Sequence, residues 1–125
     1  MEYITLNNGV KIPQIGFGTW KAPTSEVTIN AVKTAIENGY THIDCASVYG
    51  NEKEVGQGII ASNISRDKLF ITGKLWNDVR GYDETITAFN QTLNDLAIDY
   101  LDLYLIHWPR PQKYHDDYIE KNRQS

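Results

Sequence analysis

Gly39-Tyr40-Thr41-His42-Ile43-Asp44-Cys45-Ala46-Ser47-Val48-Tyr49-Gly50-Asn51-Glu52-Lys53-Glu54-Val55-Gly56 reads as the end of one helix, a short buried strand, a polar loop and the start of the next helix. Asp44 falls where the strand stops, and Tyr49 sits in the loop just beyond. A carboxylate and a phenol placed together at a strand tip suggest proton chemistry. The rest of the chain either supplies their partners or holds them in place.

Upstream, Tyr3 to Leu6 alternates and is rich in strand formers. Asn8-Gly9 tolerates the positive φ angles of a tight hairpin turn. Val10 to Ile12 is the return strand, which Pro13 ends because it has no N–H for a ladder. Ile15 to Gly18 is a separate strand running into Thr19-Trp20. Its glycines do not make a dinucleotide fingerprint: there is no third glycine, and Pro23 delays the helix that would receive a phosphate. A first helix spans Ser25 to Asn38, capped by Thr24 or Ser25, with Val27, Ala31, Val32, Ala35 and Ile36 on one apolar stripe and Gly39 as its stop.

Downstream, a helix starts near Asn51, where Glu54 three residues on resembles a capping box, and continues through Val55, Ile59 and Ile60. Gly56 and Gly58 weaken it, which points to close packing against a strand. After the polar turn Ser65 to Lys68, Leu69 to Thr72 is strand-like and leads into Lys74 and Trp76. Asp83 to Leu96 forms a third helix with an acidic first turn that suits the helix dipole. Ile86, Phe89, Leu93 and Leu96 supply its buried face. Tyr100 to Ile106 is a nearly continuous apolar run, as in a strand covered on both faces, ending at His107-Trp108-Pro109. After Arg110 the chain is polar and irregular.

Strands near Gln14, Thr41, Phe70 and Leu101, each followed by a helix or loop, make a βα repeat of roughly 30 residues. Right-handed crossovers then give a parallel sheet. Four such units are half of a (β/α)₈ barrel. The predicted fold is therefore α/β: an opening β-hairpin and the N-terminal half of a TIM barrel, one domain over residues 1–125, its last unit incomplete and residues 110–125 an irregular tail.

The net charge of −4, from 16 acidic and 12 basic residues, gives no reason to expect nucleic acid or an anionic membrane as partner. No apolar run is long enough to span a bilayer. The start lacks the layout of a secretory signal, and the lone Cys45 has no internal disulfide partner, so a cytoplasmic location is expected.

Asp44, Lys74 and His107 each end a strand, and Tyr49 follows one. Trp20, Trp76 and Trp108, all three tryptophans of the chain, also follow strands. Singly, each has a bland reading: Asp44 a cap, Tyr49 a packed aromatic, Lys74 a solvated charge, His107 a satisfied structural histidine, a tryptophan mere packing. Together they occupy one rim of a parallel array, the rim where barrel enzymes keep their sites. Chance would put about half at the other. A phenol is a poor acid at neutral pH, and a neighbouring ammonium favours its ionised form. The trio reads as Tyr49 acid, Lys74 tuner and Asp44 anchor, with His107 donating a hydrogen bond to a substrate oxygen. Reduction of a carbonyl needs such a proton donor, with hydride from a nicotinamide. A metal-dependent hydrolase is disfavoured, because His42, His107 and His115 make no close pair of ligand spacing.

These residues resemble the aldo-keto reductase family. Gly39 to Ala46, then Glu52 and Val55-Gly56, is similar to its first signature. Ile71-Thr72-Gly73-Lys74-Leu75-Trp76 resembles its lysine strand, and Tyr100 to Pro109 its histidine strand. The opening hairpin and Ile15 to Trp20 also match, so the resemblance runs from about Tyr3 to about Glu120. It implies reduction of aldehydes or ketones with NADPH. Asp44, Tyr49, Lys74 and His107 match the catalytic four, with Tyr49 as proton donor. Gly18, Thr19, Trp20 and Asp44 match cofactor contacts, and Trp20, Trp76, His107 and Trp108 match the substrate pocket. No metal is implied.

The family's barrel has four more strands, which carry residues that stack on the nicotinamide and grip the adenosine phosphate. Tyr118 to Glu120 resembles the start of a further helix, and Lys121 to Ser125 leaves the pattern, so the expectation is truncation or a frameshift in the coding sequence. The alternative to a reductase is a half-barrel remnant that binds no cofactor. Its first and fourth strands would be open edges, for which a homodimer is the soluble solution.

Overall fold

The computed structural model describes residues 2–108. The expectations for Pro109, Arg110, His115, Tyr118 to Glu120 and the irregular tail lie outside that range.

Strands β1 (Tyr3–Thr5) and β2 (Lys11–Pro13) pair antiparallel, with Ile4 opposite Ile12. Gly9 turns the hairpin at φ +85°, and the Asn8 side chain accepts from the Val10 N–H at 3.1 Å. The main sheet has the order β3 (Phe17–Gly18), β4 (His42–Asp44), β5 (Phe70–Leu75), β6 (Leu103–Ile106), parallel throughout. Helices α1 (Glu26–Glu37), α2 (Glu52–Ser62) and α3 (Tyr82–Leu96) make the crossovers. None of the described helices is long and apolar enough to cross a membrane.

Residues alternate between the two faces of the strands. Ile43, Cys45 and Ile71 face the helices and form the core with Val32, Ile36, Val55, Ile59, Leu69 and Leu96. His42, Asp44, Thr72 and Lys74 take the other face. There the His42 ring shares a hydrogen bond with the Thr72 hydroxyl at 2.9 Å and meets Phe70 edge-on. Polar chemistry and apolar core are thus separated by strand parity.

Ser25 caps α1, its hydroxyl accepting from the Val27 N–H, and Gly39 leaves the helix at φ +103°. Four details differ from the sequence expectation. The capping box on α2 does not form: Asn51 makes no cap bond, because its side chain is turned toward the β3–α1 connection. Gly56 and Gly58 pack on helices rather than on a strand. A Cβ on Gly56 would lie 2.5 Å from the Leu96 carbonyl oxygen at the end of α3, and one on Gly58 would lie 2.7 Å from the Ile29 carbonyl oxygen of α1. Val27, Ile60 and Ile86 are exposed; Thr28 and Thr92 are buried on the inner faces of α1 and α3. Finally, only Leu103–Ile106 of the long apolar run is strand, and Leu105 and Ile106 are each 41% exposed. β6 ends the sheet, so among the described residues only β5 covers its flank.

Candidate active site

The strand ends at one rim carry the polar residues. Asp44 is the last residue of β4 and Lys74 the fifth of β5. His107 directly follows β6, where its N–H donates to the Leu75 carbonyl at 3.0 Å and so prolongs the ladder by one bond. Tyr49 closes a single 3₁₀ turn, Ser47–Tyr49, after which Gly50 turns the chain at φ +71°. That turn folds Tyr49 back over the sheet, and the Ser47 hydroxyl donates to the Lys74 carbonyl at 3.3 Å.

The Lys74 ammonium donates to Asp44 Oδ1 at 2.8 Å and to the Cys45 carbonyl at 3.0 Å. The lysine side chain is 14% exposed, and the carboxylate pairs with its ammonium at a largely dry strand end. The ammonium also lies over the Tyr49 ring, 5.4 Å from its centroid. Among the described residues it makes no hydrogen bond to the Tyr49 hydroxyl. The Tyr49 ring meets His107 edge-on at 5.7 Å, and Trp76 also meets His107 edge-on at 5.3 Å. Burial and then the Lys74 ammonium push the His107 imidazole below its ordinary value, with Asp44 opposing in part. At neutral pH the ring is uncharged, with one N–H to donate. Its Nδ1 is buried and has no partner among the described residues.

Tyr49, Trp76 and His107 line a cavity of about 600 Å³ together with Trp20, Lys21, Val48 and Trp108. The volume suits a small organic ligand, and aromatic walls over a few convergent polar groups are the usual makeup of such a site. All four proposed catalytic residues and all three tryptophans therefore converge. Gly18 stands beside Asp44 in register, and an added Cβ there would meet nothing within 4 Å. Thr19 differs: it is fully buried, and its N–H and hydroxyl both donate to the Asp44 carbonyl, at 3.2 and 2.9 Å. Its side chain anchors the loop. Lys21 and Val48 in the wall, and Asn77, which accepts from the Trp108 N–H at 3.1 Å, escaped the sequence reading because loop residues carry no periodic signal. Among the described residues no three His, Cys, Asp or Glu gather as a metal site.

The model of the Aldo/keto reductase family matches residues 14–122. The chain belongs to this family. It is 48% identical over 113 residues to the 9,11-endoperoxide prostaglandin H2 reductase of Trypanosoma cruzi, which covers 90% of this chain and 40% of that protein. To the glyoxal reductase of Bacillus subtilis it is 48% identical over 115 residues, 92% of this chain and 42% of the relative. An aldo/keto reductase crystal structure from Brucella melitensis superposes with a TM-score of 0.89 at 47% identity, covering 98% of this chain and 45% of the other. The chain thus spans about two fifths of the curated relatives it matches. Its parallel sheet and helices match part of the (β/α)₈ barrel of these aldo-keto reductase structures.

Proposed function

We propose that this chain carries the proton-donating half of an oxidoreductase that reduces aldehydes or ketones to alcohols, with NADPH as hydride source. The observation that carries this reading is the Lys74–Asp44 pair at 2.8 Å against the ring of Tyr49, which lines the cavity together with His107.

The chemistry divides as follows. A substrate carbonyl enters between the tryptophans with its oxygen toward Tyr49 and His107. The neutral His107 donates a hydrogen bond to that oxygen and orients it. When bound, the nicotinamide supplies the hydride that adds to the carbonyl carbon. Tyr49 releases its hydroxyl proton to the oxygen, which completes the alcohol and leaves a phenolate. The Lys74 ammonium stabilises that phenolate across the ring face, and Asp44 keeps the ammonium in place. The proton on Tyr49 is then restored from solvent.

The residues present fit the nicotinamide end of the cofactor. Gly18 offers bare backbone beside Asp44, and Trp20 stands exposed next to it. The preference for NADPH follows from the family resemblance. A free, fully buried Cys45 accords with the proposed cytoplasmic location.

The test is oxidation of NADPH by this chain with a simple aldehyde, beside its Tyr49→Phe variant. Turnover is expected, with a loss of about 10²–10⁴-fold in the variant, the usual worth of a positioned general acid. Quenching of tryptophan fluorescence by NADPH should survive that substitution. Equal turnover in both proteins would place the proton donor elsewhere. The short span relative to the family favours one other reading, a half-barrel that keeps the residue cluster but binds no cofactor. Unquenched tryptophans at millimolar NADPH would decide for it.

A further inference from the structure

Asn51 is fully buried at the start of α2, yet it leaves the helix uncapped. Its amide donates instead to two carbonyls of the β3–α1 connection: Thr19 at 2.8 Å and Ala22 at 3.1 Å. Those two residues bracket Trp20 and Lys21. The Ala22 N–H also donates to the Thr19 carbonyl at 3.1 Å, so Thr19 to Ala22 is a closed four-residue turn. Lys21 takes φ +62° in it, a left-handed conformation that costs a non-glycine residue and persists only where its surroundings impose it. Thr19 fixes the near end of the turn to the Asp44 carbonyl through two donors. Asn51 fixes the far end.

The two residues at the tip are otherwise poorly held. Trp20 is 67% exposed, and the Lys21 ammonium rests 4.7 Å from its ring centroid. Both line the cavity over Tyr49 and His107. Packing cannot set the pose of a ring so exposed; the backbone turn beneath it can. We infer that Asn51 is a positioning residue: by holding the Thr19 and Ala22 carbonyls it keeps the left-handed turn at Lys21 and so fixes Trp20 as a wall of the cavity. The inference deepens the reading of this cavity as a substrate site, because it makes a residue outside the cavity determine the shape of the cavity mouth.

Asn51→Asp tests it. The side chain keeps its size but, when ionised, has no N–H to donate, and it faces two carbonyls. The readout is the fluorescence anisotropy of Trp20 in protein where Trp76→Phe and Trp108→Phe leave it the single tryptophan, well below the unfolding temperature. The control is Ile59→Ala, which removes core packing away from the turn. Anisotropy is expected to fall in Asn51→Asp and to keep its starting value in Ile59→Ala. If Asn51→Asp fails to fold, Asn51→Ser, smaller and still able to donate once, is read in the same way, with a smaller fall expected. Unchanged anisotropy in a folded Asn51 variant, or an equal fall in the Ile59 control, would overturn the inference. Turnover is not needed for this readout, so a chain without reductase activity still decides it.

Discussion

Glu52 is buried and His107 partly so, and their environments move them in opposite senses. Glu52 is 6% exposed; burial pushes its carboxyl up to about 7, with the negative charge of Asp95 adding to the rise and the Thr92 hydroxyl opposing it. The native state therefore binds this proton more tightly than the unfolded chain. Its stabilising effect is complete below pH 4.5 and is lost as pH rises through about 7. Over that window the loss is on the order of 3 kcal/mol at 1.36 kcal/mol per unit. Glu52→Gln should accordingly unfold at higher urea than the parent at pH 8, with the advantage gone near pH 4.5. Parallel urea titrations check it, and a constant difference at both pH values would contradict it. His107 runs the other way, its folded value lying below the ordinary one. Its contribution is complete above about pH 6.5 and falls as acid protonates the unfolded chain first. His107→Gln should flatten the loss of stability below pH 6.5. Cys45 is fully buried and its thiol is pushed up, first by burial and then by Glu52 and Asp44. Native protein should resist iodoacetamide at pH 8 and react only when unfolded; rapid labelling of folded chain would show the strand end is open.

At the scale of elements, two glycines let the helices close on one another. Gly56 admits the Leu96 carbonyl and Gly58 admits the Ile29 carbonyl, at separations no Cβ tolerates. Backbone atoms cannot move aside as a flexible side chain can. Gly56→Ala should cost about 1–3 kcal/mol as overpacking, or about 4–8 °C in melting temperature for each of those kcal/mol. Gly18→Ala, with open space around it, should melt within a degree or two of the parent. Differential scanning calorimetry of the pair checks both, and equal melting would mean that α2 and α3 are not in contact. At the opposite rim Arg66 ties the α2–β5 connection to the last strand. Its guanidinium bonds Asp102 at 2.8 Å and the Leu69 and Tyr100 carbonyls at 2.9 Å, while Asp102 also accepts from the Ile71 N–H at 2.8 Å. This clasp lies away from the candidate site, on the rim that serves stability in such barrels.

For the whole molecule the consequence lies at the two sheet edges. Among the described residues β3 and β6 each have one strand partner in the sheet, and Leu105 and Ile106 stand 41% exposed on β6. Beside β3, Phe17 and Tyr40 join Val27, Ala31 and Ala35 of α1 around an open groove. Edges of this kind invite pairing. We propose that two copies cover them for each other, β3 of one against β6 of the next, about a two-fold axis along the barrel that keeps all strands parallel. Sedimentation of the 125-residue chain should then give a dimer, and Leu105→Lys should shift it toward monomer. A monomeric chain that unfolds cooperatively would exclude this arrangement.

Period and punctuation in the sequence determined the hairpin, the four parallel strands, the three helices and the convergence of Asp44, Tyr49, Lys74, His107 and the tryptophans. These follow from local preference and from the rule that consecutive βα units deliver strand ends to one side. Tertiary structure alone decided what each polar group touches. Asn51 reads as a helix cap yet serves a loop 29 residues back, and Gly56 and Gly58 read as strand contacts yet seat helices. Lys74 lies 5.4 Å from the Tyr49 ring centroid and spends its hydrogen bonds on Asp44 and the Cys45 carbonyl. The reason is that a hydrogen bond or a close approach depends on distances between residues far apart in the chain, and neither propensity nor spacing encodes those distances.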